Sequence, residues 1–401
     1  MTTATVTRSN ALQSLVMVAS GAVTAIVPAA FQAVAARLFA LEGQAHLALI
    51  LSIGAFCAGV IAAGLLEPRM ADSRLLDKTY IPGWATALGV AGTLAMVIFP
   101  RSIAVLAFGL PCAMVALQIG RMHAAYTAGW KMEALTAAAL VLGAGAALVL
   151  AQQNSPWAVS VLGASMAAAI VIRALKTPYK ASGRPRFAPT AWITLETAMV
   201  ALVPLGIVAT VYLLQRDEEA VALKATITVL GALQPILGYM RTRLLGAESR
   251  SLTLGMSALS VLAIALILVL EVLGVFQALF GSAWNVVTLG ALSLACLWKL
   301  VSIPGTLPFT YLRRAGMVGQ VFWIRIVSSL LYLAVSVALI LWSDSLVVLF
   351  LGLTVVESVT GLLLYAGYRS VSKAAAGQEP SAPHLSKGKT SQSTRPVRSP
   401  R

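Results

Sequence analysis

Long apolar runs recur along the whole chain, and they constrain its fold more than any other feature. A helix of about 20 residues rises roughly 30 Å, which matches the hydrocarbon core of a bilayer. A helix satisfies its own backbone hydrogen bonds in lipid, so runs of this length indicate transmembrane helices. We predict an all-α membrane protein with spans at 11–38, 45–66, 80–99, 103–120, 134–151, 156–175, 190–214, 220–241, 251–279, 285–305, 318–342 and 346–368.

The charge content excludes an ordinary soluble domain. Of the 401 residues, 59% are hydrophobic and 11% are charged, whereas soluble domains carry about 25% charged residues. The net charge of +15 raises the question of nucleic-acid binding. However, the cations lie in short packets between apolar runs, which is typical of the positive-inside rule. We therefore expect a membrane protein with no nucleic-acid partner.

The positions of these packets predict the topology. Most of the 29 Lys and Arg residues fall in alternate loops, on the side that also holds both termini. That side is therefore the cytoplasm, and the composition favours a bacterial inner or plasma membrane. The largest internal packet, 173–186, separates two halves of about six spans each. We predict an N-terminal lobe at 1–175, a cytoplasmic linker at 176–189, a C-terminal lobe at 190–369 and a disordered basic tail at 370–401.

Three stretches resemble a known family. Residues 276–304 (FQALFGSAWNVVTLGALSLACLWKLVSIP), 306–335 (TLPFTYLRRAGMVGQVFWIRIVSSLLYLAV) and 116–145 (ALQIGRMHAAYTAGWKMEALTAAALVLGAG) are similar to helix and loop regions of polysaccharide flippases. Those proteins form the O-antigen-type branch of the multidrug/oligosaccharidyl-lipid/polysaccharide superfamily. The resemblance implies a MATE-like fold in which two six-helix lobes enclose a central cavity, lined by the first and seventh helices. It also implies a polyprenyl-linked glycan as substrate, moved by alternating access. The branch that flips murein precursors is disfavoured, because its additional helices and N-terminal arginines are missing.

Polar residues inside the spans are the candidates for substrate contacts, since lipid tolerates them poorly. Cations suit a pyrophosphate and amides suit a glycan. Proline inside a span can kink the helix and act as a hinge. The substrate-binding candidates are Arg37, Lys224, Lys299, Arg325, Gln32 and Gln234, and the hinge candidates are Pro28, Pro204 and Pro235.

Two carboxylates inside spans are candidates for coupling or for neutralising a cation. Glu196, Lys299 and Arg325 lie at similar depth in the second lobe, so Glu196 is a candidate counter-ion of the two cations. Glu357 lies near the middle of the last span and is a candidate for proton or sodium coupling. The structural alternative for all of them stays open: long cations can extend to the interface, and a carboxylate can pair with one of them.

The sequence gives little support for catalysis. The three histidines are far apart, the three cysteines show no metal-ligand spacing, and no phosphate-binding loop of the Walker type occurs. We expect a non-enzyme without metal or cofactor, driven by a proton, by sodium or by the membrane potential. Membrane lipid, the glycan carrier and glycan-assembly proteins are the expected partners. Two alternatives remain: a multidrug or cation antiporter of the same fold, and a membrane enzyme of glycan assembly.

Overall fold

The computed structural model describes residues 11–71, 75, 80–127, 129–175, 177–179, 183, 187–238, 250–314 and 317–376. Within these ranges every long regular element is an α-helix. A short helix, Val275–Phe280, and a 3₁₀ turn, Gly281–Val286, follow α9; we call these two elements together the outer segment. The long helices are α1 (Ala11–Leu38), α2 (Leu41–Ala71), α3 (Gly83–Ile98), α4 (Ile103–Thr127), α5 (Trp130–Gln152), α6 (Trp157–Ala174), α7 (Phe187–Leu213), α8 (Asp217–Gly231), α9 (Arg250–Val272), α10 (Leu289–Arg314), α11 (Val318–Trp342) and α12 (Leu346–Ala376).

The helices confirm the predicted all-α membrane fold. Ten of them are long and apolar enough to cross a bilayer, and the two shorter ones, α3 and α8, occupy the predicted third and eighth spans. Helices α1 and α11 begin and end at the predicted residues. Other helices extend beyond their apolar runs: α4 continues to Thr127 and α5 already begins at Trp130. The extension of α4 brings Arg121, which was assigned to a loop, into the helical part of the protein.

Two separate apolar cores define the two lobes. One core consists of buried residues from α1 to α6, centred on Phe31, Leu51 and Met166. The other consists of buried residues from α7 to α12 and the outer segment, including Trp284 and Phe350. Burial of apolar groups is not a driving force inside lipid, so close packing of these side chains holds each lobe together. The two six-helix lobes are therefore distinct packing units.

The lobes meet along a seam between α2 and α7. Small residues allow a close approach there: a Cβ placed on Gly64 of α2 would lie 2.9 Å from Thr194 Oγ1 of α7. Tyr212 and His46 form a hydrogen bond of 2.9 Å across the same pair of helices, near their other ends. The seam also includes contacts of α8 with α1 and α2. Any relative motion of the lobes must rearrange these contacts.

Two predicted boundaries change. Helix α7 begins at Phe187, inside the predicted linker 176–189, and α12 continues to Ala376, inside the predicted tail 370–401. Residues 377–401 lie outside the described residues. One linker residue is held in place: Arg69 Nη2 donates a hydrogen bond of 2.9 Å to the carbonyl of Gly183, whose φ of 77° favours glycine.

Candidate functional site

A small cavity opens between the two lobes, at the contact of α2, α7 and α8. It has a volume of about 100 Å³, which is room for about three water molecules. An oligosaccharide does not fit a space of this size. The cavity is lined by Ser52, Ala55, Phe56, Ala201, Pro204, Leu205, Lys224 and Ile227.

Lys224 is the only charged side chain on this lining. It is 6% exposed, and within the described part of the chain its ammonium group has no hydrogen bond or ion pair. An unpaired cation at membrane depth costs about 2.5–3.5 kcal/mol on insertion scales. The other lining residues carry no charge that would offset this cost. The cavity therefore presents a positive charge that an anionic ligand can neutralise.

Helix α8 is interrupted at the predicted hinge Pro235. The helix ends at Gly231, and a turn at Ala232 and Leu233 precedes a short helical stretch at 234–238. Proline has no N–H to donate to the carbonyl four residues earlier and its ring clashes with that carbonyl, which here belongs to Gly231. The local sequence thus explains the break. By contrast, α1 and α7 remain continuous helices through Pro28 and Pro204.

A buried ion pair lies inside the N-terminal lobe. Arg173 of α6 donates from Nε to Glu133 Oε1 at 2.6 Å and from Nη2 to Glu133 Oε2 at 2.8 Å. Ser20 of α1 donates a third hydrogen bond to this carboxylate, at 2.9 Å. Arg173 also donates to the carbonyl of Leu117 at 2.9 Å. Both charged side chains are therefore fully buried and satisfied.

A second guanidinium lies next to this pair. Arg121 of α4 is half-buried and reaches the surface of α1 at Gly21. It lies close enough to Arg173 and Glu133 to feel both charges. The cluster of Arg121, Arg173 and Glu133 has two positive charges and one negative charge, so it keeps a net positive charge.

The C-terminal lobe holds another ion pair, with a partner different from the predicted one. Glu196 of α7 was expected to neutralise Lys299 and Arg325, but it accepts a hydrogen bond of 2.6 Å from Arg313 Nη2 of α10. Arg325 lies beside this pair, since the guanidinium carbons of Arg313 and Arg325 lie 4.6 and 4.7 Å from the ring centre of Phe309. Sequence distance from the helix end placed Arg313 in a loop, whereas α10 extends to Arg314.

Glu357 belongs to a chain of hydrogen bonds between three helices of the C-terminal lobe. It accepts a hydrogen bond from the hydroxyl of Tyr332, and Trp298 Nε1 donates to the same hydroxyl at 3.1 Å. Lys299 lies nearby in sequence, with its Nζ 3.6 Å from the ring centre of Trp298. The carboxylate of Glu357 is therefore already engaged by a neutral donor and does not line the cavity between the lobes.

Arg37 joins the two lobes at the end of α1. Its Nη1 donates to the carbonyls of Ala33 and Leu279, at 2.9 and 3.0 Å, and its Nη2 donates to the carbonyl of Ala278 at 2.6 Å. Ala278 and Leu279 lie in the outer segment of the C-terminal lobe. Three acceptors bind this guanidinium, so the geometry makes Arg37 a contact between lobes and leaves it little capacity for substrate.

The two amide candidates differ sharply in their surroundings. Gln32 of α1 is 6% exposed, and neither its Nε2 nor its Oε1 has a hydrogen-bond partner in the described part of the protein. Gln234, in contrast, is exposed. A buried amide without partners is costly, so Gln32 is the stronger of the two candidates for a contact with substrate.

Comparisons with known proteins identify the fold. No family model and no curated protein matches the sequence. A crystal structure of MATE in complex with MaL6 superposes with a TM-score of 0.54 at 13% identity, covering 91% of this chain and 96% of that chain. The inward-facing conformation of a multidrug resistance MATE family transporter of the MOP superfamily gives 0.55 at 12% identity, covering 88% and 96%. The chain has the MATE fold.

In this MATE fold six of the predicted site residues separate into three groups. Lys224 and Pro204 line the cavity between the lobes. Glu196, Arg325 and Glu357 take part in contacts within the C-terminal lobe. Arg37 connects the lobes outside the cavity. The candidates therefore do not form one site, and Lys224 alone among the predicted cations reaches the cavity.

Sequence reasoning missed the charged cluster in the N-terminal lobe of the MATE fold. Arg121 and Arg173 were counted as cytoplasmic cations, and Glu133 was not considered, because each lies at the edge of an apolar run. One signal was available: Glu133 was a lone acidic residue between Lys131 and the apolar part of α5. A carboxylate at such a position next to a membrane span indicates a buried partner.

Proposed function

We propose that the chain is a membrane transporter that moves a polyprenyl-(pyro)phosphate-linked oligosaccharide from the inner to the outer leaflet. Relative motion of the two lobes would expose the central cavity to each side in turn. The observation that carries this proposal is Lys224, a buried cation on the cavity between the lobes that has no ion-pair partner among the described residues. The substrate would carry a phosphate for this cation, while its lipid tail stays in the bilayer.

The charges of the seam favour an anionic substrate over a cationic drug. No carboxylate is among the residues that line the cavity, all of which lie in the described ranges. Glu133 and Glu196 are each neutralised by an arginine, and Glu357 is hydrogen bonded to Tyr332. A cation antiporter needs a negative charge that faces its substrate. The multidrug alternative is therefore the second candidate, supported by the fold of the solved MATE structures and opposed by this charge distribution.

Glu357 is the proposed residue for energy coupling. Its environment allows two protonation states, because an ionised carboxylate accepts a hydrogen bond from the Tyr332 hydroxyl, whereas a neutral carboxyl group can donate a hydrogen bond to the same oxygen. A proton could thus bind and leave without breaking the contact between α11 and α12. Coupling to sodium or to the membrane potential would not need this exchange. If transport by the Glu357→Gln variant no longer responds to a pH gradient, this result would support the proton as the coupling ion.

Depletion of the protein in its own host tests the proposed substrate. In a bacterial inner membrane, loss of the flippase should leave lipid-linked oligosaccharide in the inner leaflet while surface glycan decreases. Lipid extraction and mass spectrometry would then identify the glycan. Unchanged surface glycan together with new sensitivity to cationic drugs would support the antiporter instead. A change in the glycan structure without accumulation of the precursor would support an enzyme of glycan assembly.

Variants of Lys224 test the site in the same cells. Lys224→Gln should reproduce the depletion phenotype at normal protein abundance, since it removes the positive charge from the cavity. Lys224→Arg keeps the charge and should retain part of the activity. Arg101→Gln is a suitable control, because Arg101 is an exposed cation outside the seam. Full activity of Lys224→Gln would remove the observation on which the proposal rests.

A further inference from the structure

Gly21 of α1 gives a neighbouring guanidinium access to the seam. A Cβ placed on Gly21 would lie 2.5 Å from Arg121 Nη2 and 2.7 Å from Pro235 Cβ. The missing side chain therefore leaves a notch that Arg121 of the N-terminal lobe and Pro235 of the C-terminal lobe share. Arg121 reaches the contact between the lobes through this notch, close to the point where α8 is interrupted.

The hydrogen bonds around Arg121 leave its guanidinium uncommitted. Glu133, the carboxylate of this cluster, already accepts three hydrogen bonds from Arg173 and Ser20. Arg173 is bound by Glu133, by the Leu117 carbonyl and by Thr24. Among the described residues Arg121 itself makes no hydrogen bond or ion pair. It therefore keeps all its N–H donors, and no described carboxylate forms an ion pair with it.

We propose that Arg121 is a phosphate-binding subsite at the seam, with the nearby charge of Arg173 increasing its attraction for anions. A guanidinium matches phosphate oxygens with paired N–H donors, and its weak hydration suits a partly buried site. The ligand class is a phosphate or diphosphate ester. This subsite rests on the proposed function in one respect: the ester is taken to be the head group of the transported lipid.

Depth in the membrane distinguishes this subsite from Lys224. Arg121 lies four residues from the end of its span, which runs from Ile103 to Ala125, and that end is cytoplasmic in the predicted topology. Lys224 lies eleven residues before Pro235, or roughly 16 Å along a helix axis. That distance is about half of the hydrocarbon thickness. Arg121 would therefore receive the phosphate from the inner leaflet, and Lys224 would hold it nearer to the outer leaflet, since α8 begins only seven residues earlier, at Asp217.

Binding measurements on the purified full-length protein test the subsite. The protein would be placed in nanodiscs of phosphatidylcholine, and the affinity for geranylgeranyl diphosphate would be measured. Arg121→Gln should weaken binding about tenfold or more, because it removes charge-assisted hydrogen bonds. Arg121→Lys should be weakened less, and Arg101→Gln should bind like the parent. Equal affinity of the parent and Arg121→Gln would overturn the proposal.

A second variant protects the test against misfolding. Gly21→Ala keeps every charge but fills the notch, so it should displace Arg121 and weaken binding. Thermal unfolding shows whether Arg121→Gln is folded. If it is not, the affinity of Gly21→Ala tests the proposal instead, and an affinity equal to that of the parent overturns it. Inorganic pyrophosphate is the second probe. Much weaker binding of pyrophosphate assigns the site to a lipid head group, whereas equal binding assigns it to a soluble diphosphate.

Reconstituted flipping separates this proposal from the proposed function. Arg121-dependent binding without any flipping of the lipid-linked glycan would keep the subsite and reject the flippase. Flipping that needs Lys224 but is unchanged in Arg121→Gln would keep the flippase and reject the subsite.

Discussion

Arg173 donates two hydrogen bonds to Glu133, at 2.6 and 2.8 Å, and this pair lies wholly inside the N-terminal lobe. It joins α6 to α5, and Ser20 extends the contact to α1. The pair therefore fixes the position of α1 relative to the lobe. Since α1 also lies on the seam, the pair stabilises the position of α1 from inside its own lobe, on the side away from the seam.

Breaking this pair should destabilise the protein strongly. Glu133→Gln leaves a buried guanidinium without its counter-ion, which costs about 3–5 kcal/mol. The midpoint of thermal unfolding in detergent, followed by size-exclusion chromatography, measures the effect. Asp344→Asn is the matched control, because Asp344 is exposed and its partner Arg216 is partly exposed, and ion pairs at the surface contribute at most about 1 kcal/mol. The expectation fails if both variants unfold at the same temperature.

Replacing Gln32 should raise the stability of the protein while lowering its transport activity. Gln32→Met removes two buried polar atoms without partners, and an unpaired buried amide costs about 1–3 kcal/mol in proteins. The variant should therefore unfold at a higher temperature than the parent, while glycan transport falls if the amide contacts the substrate. Gln153→Met, at an exposed position, should change neither quantity. A lower unfolding temperature for Gln32→Met would show that the amide has a partner in the membrane.

The interruption of α8 should matter for transport rate more than for binding. Pro235→Ala restores a backbone donor for the Gly231 carbonyl, so the helix can continue through the break. Alanine keeps the Cβ that faces Gly21. Turnover should therefore fall severalfold, while the affinity for the substrate stays close to that of the parent.

Pro304→Ala is the control for this hinge. Pro304 lies at an exposed position of a continuous helix, α10, and its replacement should leave turnover unchanged. Equal turnover of Pro235→Ala and the parent would mean that the break is not a hinge.

Removing Arg37 should open the seam at the end of α1. Arg37→Gln loses charge-assisted hydrogen bonds to Ala278 and Leu279, each of which contributes about 1.5 kcal/mol or more. Ala36, next to Gly281, can be replaced by cysteine in a background without the native cysteines. Its reaction with an impermeant maleimide should then become about tenfold faster. Arg101→Gln should not change the rate, and an unchanged rate in Arg37→Gln would contradict the role of this contact.

The sequence predicted the helices well and the charge partners poorly. Apolar length determines a transmembrane helix locally, so α1 and α11 have the predicted bounds. The partner of Glu196 depends instead on which turn of α10 faces α7, and α10 continues nine residues beyond the predicted end. Arg313 was therefore assigned to a loop. The same error removed Arg121 from consideration, whereas Arg173 was counted with the loop packet 173–186 although it lies within the predicted span.

Lys224 was found from the sequence because its position is unusual for a cation. It lies within an apolar segment and far from the cytoplasmic packets. Its role on the cavity depended on the packing of α8 against α2 and α7, which no local pattern contains. The depth of a residue in the membrane can thus be inferred from its position in the sequence. The direction of its side chain can be known only from the three-dimensional packing of the helices.

The contact of Arg37 with the outer segment has a consequence for how this protein can diverge. Its acceptors there are main-chain carbonyls of residues 278 and 279, and every amino acid supplies such a carbonyl. Substitutions at these two positions therefore leave the contact intact, provided that the helix keeps its path. We expect related chains to retain the arginine while the side chains of its partners vary freely, so that correlated substitutions would not reveal this bridge between the lobes.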